Sequence, residues 1–226
     1  MTETASTQEI TAAASAIMAN LLALPVRDMP SVRQVRRRYS RESRDRPGSW
    51  VLAVSEALFH DHGCRWVAYE LIAAHPDAFG PLDRARIEAL ADGMADWSAV
   101  DTFGRIVAGP AWLRGQLADE DIARWASSDN RWWRRAALVS TVALNTPSQG
   151  GYGDANRTLT ICRMLLADRD DMVVKALSWA LRKLSECDPE PVWAFVREHE
   201  DALAARARRE TFHKLRTGLK SPRRTR

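Results

Sequence analysis

The chain has 226 residues, 46% of them hydrophobic, so it is long enough and apolar enough to bury a core. No apolar run reaches the roughly 18 residues that a membrane-spanning helix needs, and the N-terminus lacks the layout of a secretory signal. The three cysteines, Cys64, Cys162 and Cys187, have no metal-ligand spacing and indicate buried thiols in a cytoplasmic protein.

The net charge of +4 is distributed unevenly along the chain. Beyond Ala202 there are nine lysines and arginines and one acidic residue, whereas the preceding part has 24 basic and 28 acidic residues. The overall charge therefore says little about the body of the protein. A nucleic-acid-binding surface on that body would have to be a local patch.

Helical periodicity runs along the whole chain, and no stretch shows the sustained alternation of a strand. Pro30 and Pro47 each stand where a helix begins, because a first-turn residue needs no N–H donor. Segment 145–156 contains Pro147 and three glycines and is predicted to be a loop, and 221–226 a disordered basic tail. The predicted helices cover 6–24, the residues from Pro30 onward, 49–59, 65–74, 83–90, 97–108, 132–144, 157–166, 171–185, 190–198 and 201–215.

About ten helices in short antiparallel pairs indicate an all-α, HEAT-like helical-repeat α-solenoid. We expect a single repeat domain over residues 1–220. The repeat is inferred from helix lengths and connections, because no sequence motif recurs. Stacked repeats of this kind form a concave groove, which often serves as the binding surface.

Three stretches place ionic side chains beside tryptophan on a helix face. Singly, each is also compatible with a core tryptophan, a solvated carboxylate or a local cation–π contact. Arginines in a first helical turn oppose the helix dipole, so they need another partner. Together, aromatic and cationic side chains suit planar bases and phosphates, and one carboxylate suits a site where positive charge develops. The members are Trp97 and Asp101; Arg131, Trp132, Trp133, Arg134 and Arg135; and Lys175, Trp179 and Arg182.

This ordered set resembles the bacterial DNA alkylation repair proteins of the AlkD type, over about residues 30 to 185. The resemblance also includes segments 29–36 and 66–72 and the small residues that follow Arg135. It implies a monofunctional DNA glycosylase that hydrolyses the N-glycosidic bond of purines alkylated at N3 or N7. It also implies double-stranded DNA as partner, a monomer that uses no metal or cofactor, and no association with membranes.

The matching positions imply roles for individual residues. Asp101 is expected to be the catalytic carboxylate, with Trp97 and Trp179 facing the deoxyribose. Because a purine alkylated at N3 or N7 is already cationic, it leaves as a neutral base, and what remains to be stabilised is an electron-deficient sugar. The expected DNA-binding residues are Arg135 and Arg182, which hold phosphates, together with Trp132, Lys175 and Arg131.

Two other functions stay open at the level of sequence. One is a HEAT-like module that binds damaged or branched DNA without cleaving a bond, and the other is a protein-interaction scaffold. The complete set of tryptophans, cations and carboxylate argues against the binding module, and DNA binding that falls with salt would argue against the scaffold. The sequence contains neither a glycine-rich phosphate loop nor a nucleophile elbow.

Overall fold

The computed structural model describes residues 6–219, which form two compact units that divide between Asp92 and Gly93. All regular structure in this part of the chain is helical, which confirms the predicted all-α class. None of its helices is both long and apolar enough to cross a membrane. The expected basic tail, 221–226, lies outside the described residues, and the single domain over 1–220 stays a prediction.

The first unit contains five helices, several of which begin at capping side chains. Asp28, for example, accepts a hydrogen bond from the Ser31 backbone N–H at 2.9 Å and so caps α2. Helix α3 packs against α1 and α4, and α2 packs against α1 and α4 as well. The helices are α1 (Thr7–Leu22), α2 (Met29–Glu42), α3 (Gly48–His60), α4 (Arg65–Ala74) and α5 (Arg84–Ala91).

The second unit is built from successive helix pairs. Helices α9, α11 and α13 pack side by side in one row, and α8, α10 and α12 form a second row against them. This arrangement is the predicted helical repeat. The helices are α6 (Trp97–Phe103), α7 (Gly109–Leu113), α8 (Asp119–Ala126), α9 (Arg131–Leu144), α10 (Ala155–Met164), α11 (Asp171–Leu184), α12 (Pro189–Glu198) and α13 (Ala205–Thr217).

Helix α9 is the centre of the second unit. It contacts α6, α7, α8, α10 and α11, and every residue from Arg135 to Leu144 is buried. Its side chains therefore pack on all sides after the first turn, as expected of a helix that is apolar all round. Arg135 stands where α9 enters this core, and its guanidinium must find partners inside the protein.

The sequence predicted that the helix beginning at Trp97 would stop before Gly109 and Pro110. In the structure it continues past both residues. A five-residue π-helical segment, Gly104–Ala108, joins α6 to α7, and the helix continues to Leu113. The Gly109 N–H donates to the Gly104 carbonyl, five residues back. Pro110 has no N–H for the corresponding carbonyl of Arg105, and the side chain of Gln149 donates to that carbonyl instead.

Glycine permits this wide turn to lie against α9. A Cβ atom on Gly104 would stand 2.8 Å from Val139 Cγ1, and one on Gly109 would stand 2.6 Å from the Ser140 carbonyl oxygen. Pro110 therefore interrupts the backbone hydrogen bonds of the helix only locally. The π segment, its close packing against α9 and the side-chain donor of Gln149 together compensate for the hydrogen bond that the proline removes.

Three further sequence predictions need correction. Helix α8 was not predicted, although its acidic first turn, Asp119 to Asp121, is a signal of a helix start. The last helix begins at Ala205, and residues 201–203 form a turn before it. Of the three thiols, only Cys162 is buried; Cys64 is partly buried and Cys187 is exposed, so the expectation of three buried thiols is wrong.

Candidate active site

A groove of about 510 Å³ lies in the second unit and contains most of the candidate residues. It is formed by side chains of α6, α9, α11 and α13. Its lining residues are Trp97, Asp101, Arg135, Met172, Lys175, Trp179, Arg182, Arg206 and Glu210. The structure thus brings together the three residues that were expected to be catalytic, although they come from helices more than 70 residues apart in sequence.

Trp97 and Asp101 enter the groove from α6. Asp96 caps this helix by accepting hydrogen bonds from the backbone N–H groups of Ser98 at 2.8 Å and Ala99 at 3.0 Å. Trp97 and Asp101 lie four residues apart and so share a helix face. The Trp97 side chain is 58% exposed, which is unusual for an indole and leaves its face open to a ligand.

The Asp101 carboxylate is held by Arg135 in a bidentate ion pair. Arg135 Nε donates to Oδ1 and Nη2 donates to Oδ2, both at 2.8 Å. Arg135 Nη1 donates to the Met172 carbonyl. The exposed fractions of the two side chains are 6% for Arg135 and 18% for Asp101. The pair is therefore nearly withdrawn from water, and its fork geometry fixes the plane of the carboxylate.

Burial raises the pKa of the Asp101 carboxyl above its ordinary value, because the charged form loses hydration. The hydrogen bonds and positive charge of Arg135, and the charge of Arg105, oppose this shift. Without Arg135 the pKa of the Asp101 carboxyl would lie higher still.

The other arginines of the first turn of α9 pair with acidic residues elsewhere. Arg134 Nε donates to Asp168 at 2.7 Å, and its Nη1 reaches two backbone carbonyls. Arg131 lies 3.3 Å from Asp170 and 4.7 Å from the ring of Trp132. These contacts supply the partner that cations at a helix start require. Arg131 and Trp132 do not line the groove, so the structure does not bring them to Asp101.

Trp133, which belongs to the same stretch, packs inward. Its ring centroid lies 5.0 Å from that of Trp125 and 6.3 Å from that of Phe103, at T-shaped geometry in the second case. Trp133 is therefore partly buried, with its ring packed against aromatic side chains of the second unit.

Trp179 lines the groove from α11, and Arg105 lies over its ring at 5.8 Å. Arg105 belongs to the π segment and was not recognised in the sequence. Arg105 lies four residues after Asp101, a spacing that puts both side chains on one helix face, so the sequence did contain a signal for it. Arg105 is exposed and close enough to affect the pKa of Asp101.

The far wall of the groove is a network of charges between α11 and α13. Arg182 Nε donates to Ser178 Oγ at 3.1 Å, and the Ser178 hydroxyl donates to Glu210 at 2.7 Å. Arg206 donates to Glu210 at 3.0 Å, and Lys175 lies 2.5 Å from Asp171. The hydroxyl and the cations lower the pKa of the Glu210 carboxyl despite its burial, so Glu210 is ionised at neutral pH.

Arg206 and Glu210 were missed because the resemblance did not extend to the last helix. Their separation of four residues is a weak signal that could have identified a paired helix face. The Met172 carbonyl accepts a hydrogen bond from Arg135, and no pattern in the sequence predicts that contact. The C-terminal basic segment is therefore not wholly a tail, since Arg206 belongs to the groove.

The groove can offer one oriented carboxylate, two indoles and several cations to a ligand. Within residues 6–219, no three His, Cys, Asp or Glu side chains are grouped to bind a metal ion. The set of functional groups is suited to stabilising a positive centre next to an anionic backbone.

Comparison with protein-family models gives one match, described as DNA alkylation repair enzyme, over residues 3–215. The comparison with curated proteins found no match. The family match covers nearly the whole chain and includes the helix α13 that the sequence resemblance had left out. The chain therefore belongs to the DNA alkylation repair enzyme family.

Proposed function

We propose that this protein is a DNA glycosylase that hydrolyses the N-glycosidic bond of purines alkylated at N3 or N7 in double-stranded DNA. The observation that carries the proposal is the Asp101 carboxylate, oriented by Arg135 in a groove shared with Trp97 and Trp179. Membership of a DNA alkylation repair family supports the choice of substrate. We further propose that it acts as a cytoplasmic monomer without a cofactor.

In the proposed reaction the bond between C1′ and the purine nitrogen breaks, and its electron pair neutralises the cationic base. The sugar becomes electron-deficient at C1′ and is attacked by the oxygen of water, whose proton passes to the carboxylate or to solvent. The base leaves without protonation, so one carboxylate is sufficient. The indoles of Trp97 and Trp179 favour the same charge through their ring faces.

The ion pair with Arg135 sets the size of the electrostatic effect. A carboxylate about 4 Å from C1′ would stabilise the cation by about 4 kcal/mol at an effective dielectric of about 20. A guanidinium about 8 Å away opposes it by about 2 kcal/mol on the same basis. The net contribution is about 2 kcal/mol, or roughly 30-fold in rate.

We propose that Arg135 is a positioning residue for Asp101. Three of the five N–H groups of a guanidinium are already used on Asp101 and Met172. The expected phosphate contact of Arg135 would have to use the remaining two from a nearly buried side chain. Lys175, whose side chain is 35% exposed, lines the groove and is better placed for that role, whereas Arg182 is 12% exposed and lies 3.8 Å from Glu210. Contacts of Trp132 and Arg131 with DNA would lie outside the groove lining.

The test is release of free base from methylated DNA. The purified chain is incubated with duplex DNA treated with a methylating agent, and free N3-methyladenine and N7-methylguanine are measured by chromatography. The wild type should release base, Asp101→Asn should not, and Asp201→Asn, an exposed acid outside the groove, should match the wild type. Salt-sensitive DNA binding without base release would indicate a binding module instead.

A further inference from the structure

A second pair of oppositely charged side chains lies in the groove, in addition to Asp101 and Arg135. Arg182 of α11 and Glu210 of α13 both line the groove, and Arg182 Nη2 lies 3.8 Å from Glu210 Oε2. Their side chains are 12% and 16% exposed, respectively. Two charges so far withdrawn from water cost free energy unless hydrogen bonds compensate them, so the contacts of this pair indicate its role.

A buried hydroxyl group joins the two charges. Ser178 is fully buried on α11, four residues before Arg182 and therefore on the same helix face. Its Oγ donates to Glu210 Oε2 at 2.7 Å and accepts from Arg182 Nε at 3.1 Å. A carboxylate only accepts hydrogen bonds and a guanidinium only donates them, so the hydroxyl between them has one possible orientation. The hydrogen bonds from Arg182 through Ser178 to Glu210 therefore fix the guanidinium at its Nε edge.

Glu210 is itself held by a neighbour on its own helix. Arg206, four residues earlier on α13, donates from Nε to Glu210 Oε1 at 3.0 Å. The two carboxylate oxygens of Glu210 thus bind one partner on each helix. Burial acts to raise the pKa of the Glu210 carboxyl, but the Ser178 hydroxyl and the two arginines lower it overall, so the group is ionised at neutral pH.

The opposite edge of the Arg182 guanidinium keeps its hydrogen-bond donors. Of its five N–H groups, only the one on Nε forms a hydrogen bond among residues 6–219. Arg135 differs, because it uses three of them on Asp101 and Met172. Trp179 lies three residues before Arg182 and also lines the groove. A guanidinium that is fixed at one edge and retains donors at the other is preorganised to bind an oxygen of a ligand in the groove.

We propose that Glu210, acting through Ser178, is a positioning residue that fixes Arg182 in the groove. The fixed guanidinium then donates to an oxygen of the DNA backbone beside the nucleotide that Trp179 contacts, and so aligns the sugar of that nucleotide with Asp101. This inference rests on the proposed function in taking DNA as the substrate. It gives helix α13 a part in the reaction, although α13 supplies no group that reacts.

A structural role of Glu210, as a tie between α11 and α13, is the alternative, and Glu186 provides the matched control. Glu186 lies 2.8 Å from Lys183 of α11 and 2.9 Å from Lys214 of α13, and it does not line the groove. Burial lowers the pKa of Arg182, and Glu210 and Glu186 both oppose this shift. Removal of either carboxylate therefore breaks a contact between the helices, whereas only removal of Glu210 should affect the reaction.

The first measurement is the single-turnover rate of N7-methylguanine excision at saturating enzyme. Glu210→Gln and Ser178→Ala should each lower this rate about tenfold, since a displacement of about 1 Å in an aligned group can cost about a hundredfold. Glu186→Gln should stay within about twofold of the wild type. Ser178→Ala keeps both charges and removes only the hydroxyl, so it separates positioning from electrostatics. Thermal unfolding checks that each variant is folded, and Ser178→Ala decides the test if Glu210→Gln is not.

A double variant shows whether Glu210 acts through Arg182. Arg182→Gln should lose at least as much rate as Glu210→Gln, and Glu210→Gln/Arg182→Gln should lose no more than Arg182→Gln alone. Independent contributions would multiply instead, which gives the double variant a further loss of about tenfold. A multiplied loss would overturn the proposal.

A second readout does not depend on excision. In nitrogen-labelled protein observed by NMR, the Nε–H signal of Arg182 is identified by its absence in Arg182→Lys. This signal should be visible at neutral pH in the wild type, because the hydrogen bond to Ser178 slows exchange of the proton with water. It should disappear in Ser178→Ala and Glu210→Gln and persist in Glu186→Gln.

The two readouts distinguish failure of this inference from failure of the proposed function. A wild type that releases no base, with the expected NMR signals, would support the positioning of Arg182 and overturn only the glycosylase activity. Normal excision in Glu210→Gln and Ser178→Ala would overturn the positioning role. Equal losses of rate in Glu210→Gln and Glu186→Gln would also overturn it, because they would show that Glu210 is only a tie between the two helices.

Discussion

The exposed arginines of α2 and the arginines in the first turn of α9 differ in whether an acidic side chain of the protein neutralises their charge. Arg131, Arg134 and Arg135 of α9 each bind a carboxylate that follows or precedes them by more than 30 residues. Arg37 and Arg41 of α2 face solvent with no acidic partner among the described residues. The number of arginines in a segment therefore says little about its role. What matters is whether their charge is already neutralised within the protein.

In the first group, Arg134 and Arg135 are mostly withdrawn from solvent and hold acidic partners in place, whereas the second group stays exposed. A buried guanidinium must be compensated at folding, so it positions its partner and loses freedom to bind anything else. An exposed one retains its charge for an external anion, at little cost in stability.

The largest effect should come from replacing Asp101 with Asn. This change removes the carboxylate and leaves the guanidinium of Arg135 uncompensated, so the lost stabilisation of the sugar cation is the full value of about 4 kcal/mol. The single-turnover rate of base excision should fall about a thousandfold. It is measured with saturating enzyme on DNA that contains N7-methylguanine.

A second variant makes this result specific to charge. In Asp101→Asn/Arg135→Gln the cation that opposes the sugar cation is also removed. The excision rate of this double variant should therefore be about 30-fold higher than that of Asp101→Asn alone. Asp101 also stabilises the fold through its ion pair with Arg135. A loss of folding stability in Asp101→Asn would therefore not show whether the residue is catalytic. An active Asp101→Asn protein, or a double variant slower than the single one, would contradict the mechanism.

Next in size is the loss of folding stability when Arg135 is replaced with Gln. The change leaves the mostly buried carboxylate of Asp101 and the carbonyl of Met172 without their donor. Breaking such a pair from one side costs about 3 kcal/mol or more in the free energy of unfolding. Urea unfolding measures it, and Arg37→Gln on α2 is the matched control, expected within about 0.5 kcal/mol of the wild type. Equal stability of the two variants would remove the distinction between the two groups.

Sequence reasoning identified those parts of the groove that lie on one helix face. Trp97 with Asp101, and Lys175 with Trp179 and Arg182, are spaced by three or four residues, and the α-helical period alone places each set together. The requirement for partners of the α9 arginines also followed from the helix dipole. The identity of those partners did not, because Asp101 is 34 residues away from Arg135 in sequence. Only the packing of α6 against α9 brings them together.

Arg206 and Glu210 were out of reach for a different reason. They line the groove because α13 packs against α11, a contact between distant segments. Arg105, in contrast, stands four residues after Asp101, a spacing that indicates a shared helix face, and the sequence prediction left it out. The helical fold was predictable from local periodicity, whereas the completeness of the site depended on tertiary packing.

The pH dependence of excision should show the effect of the buried pair on the pKa of Asp101. Only the ionised carboxylate stabilises the sugar cation, so activity is present above the pKa and is lost as pH falls through it. Because burial raises that pKa, the loss should begin at a higher pH than for an ordinary Asp. Below the pKa the rate should fall about tenfold per pH unit.

The measurement is the single-turnover rate between pH 4 and pH 8, corrected for spontaneous base loss with Asp101→Asn as the background. Arg135→Gln removes the group that opposes the shift, so its acid limb should move to still higher pH. An acid limb that stays in place in Arg135→Gln would mean that Arg135 does not control the ionisation of Asp101.

The smallest expected effect is on the folding stability of R37Q/R41Q/R44Q. Each like-charge pair at three or four residues' separation costs a helix about 0.2 to 0.5 kcal/mol, so removing these three cations should leave stability unchanged or raise it by up to about 1 kcal/mol. Denaturant unfolding at low salt and at 0.5 M salt measures this, because salt screens repulsion between exposed charges and should abolish the gain. A loss of more than about 1 kcal/mol would show that these arginines hold the first unit together, as those of α9 hold the second. A small gain at low salt that disappears at high salt is the result expected of exposed cations that have no acidic partner among the described residues.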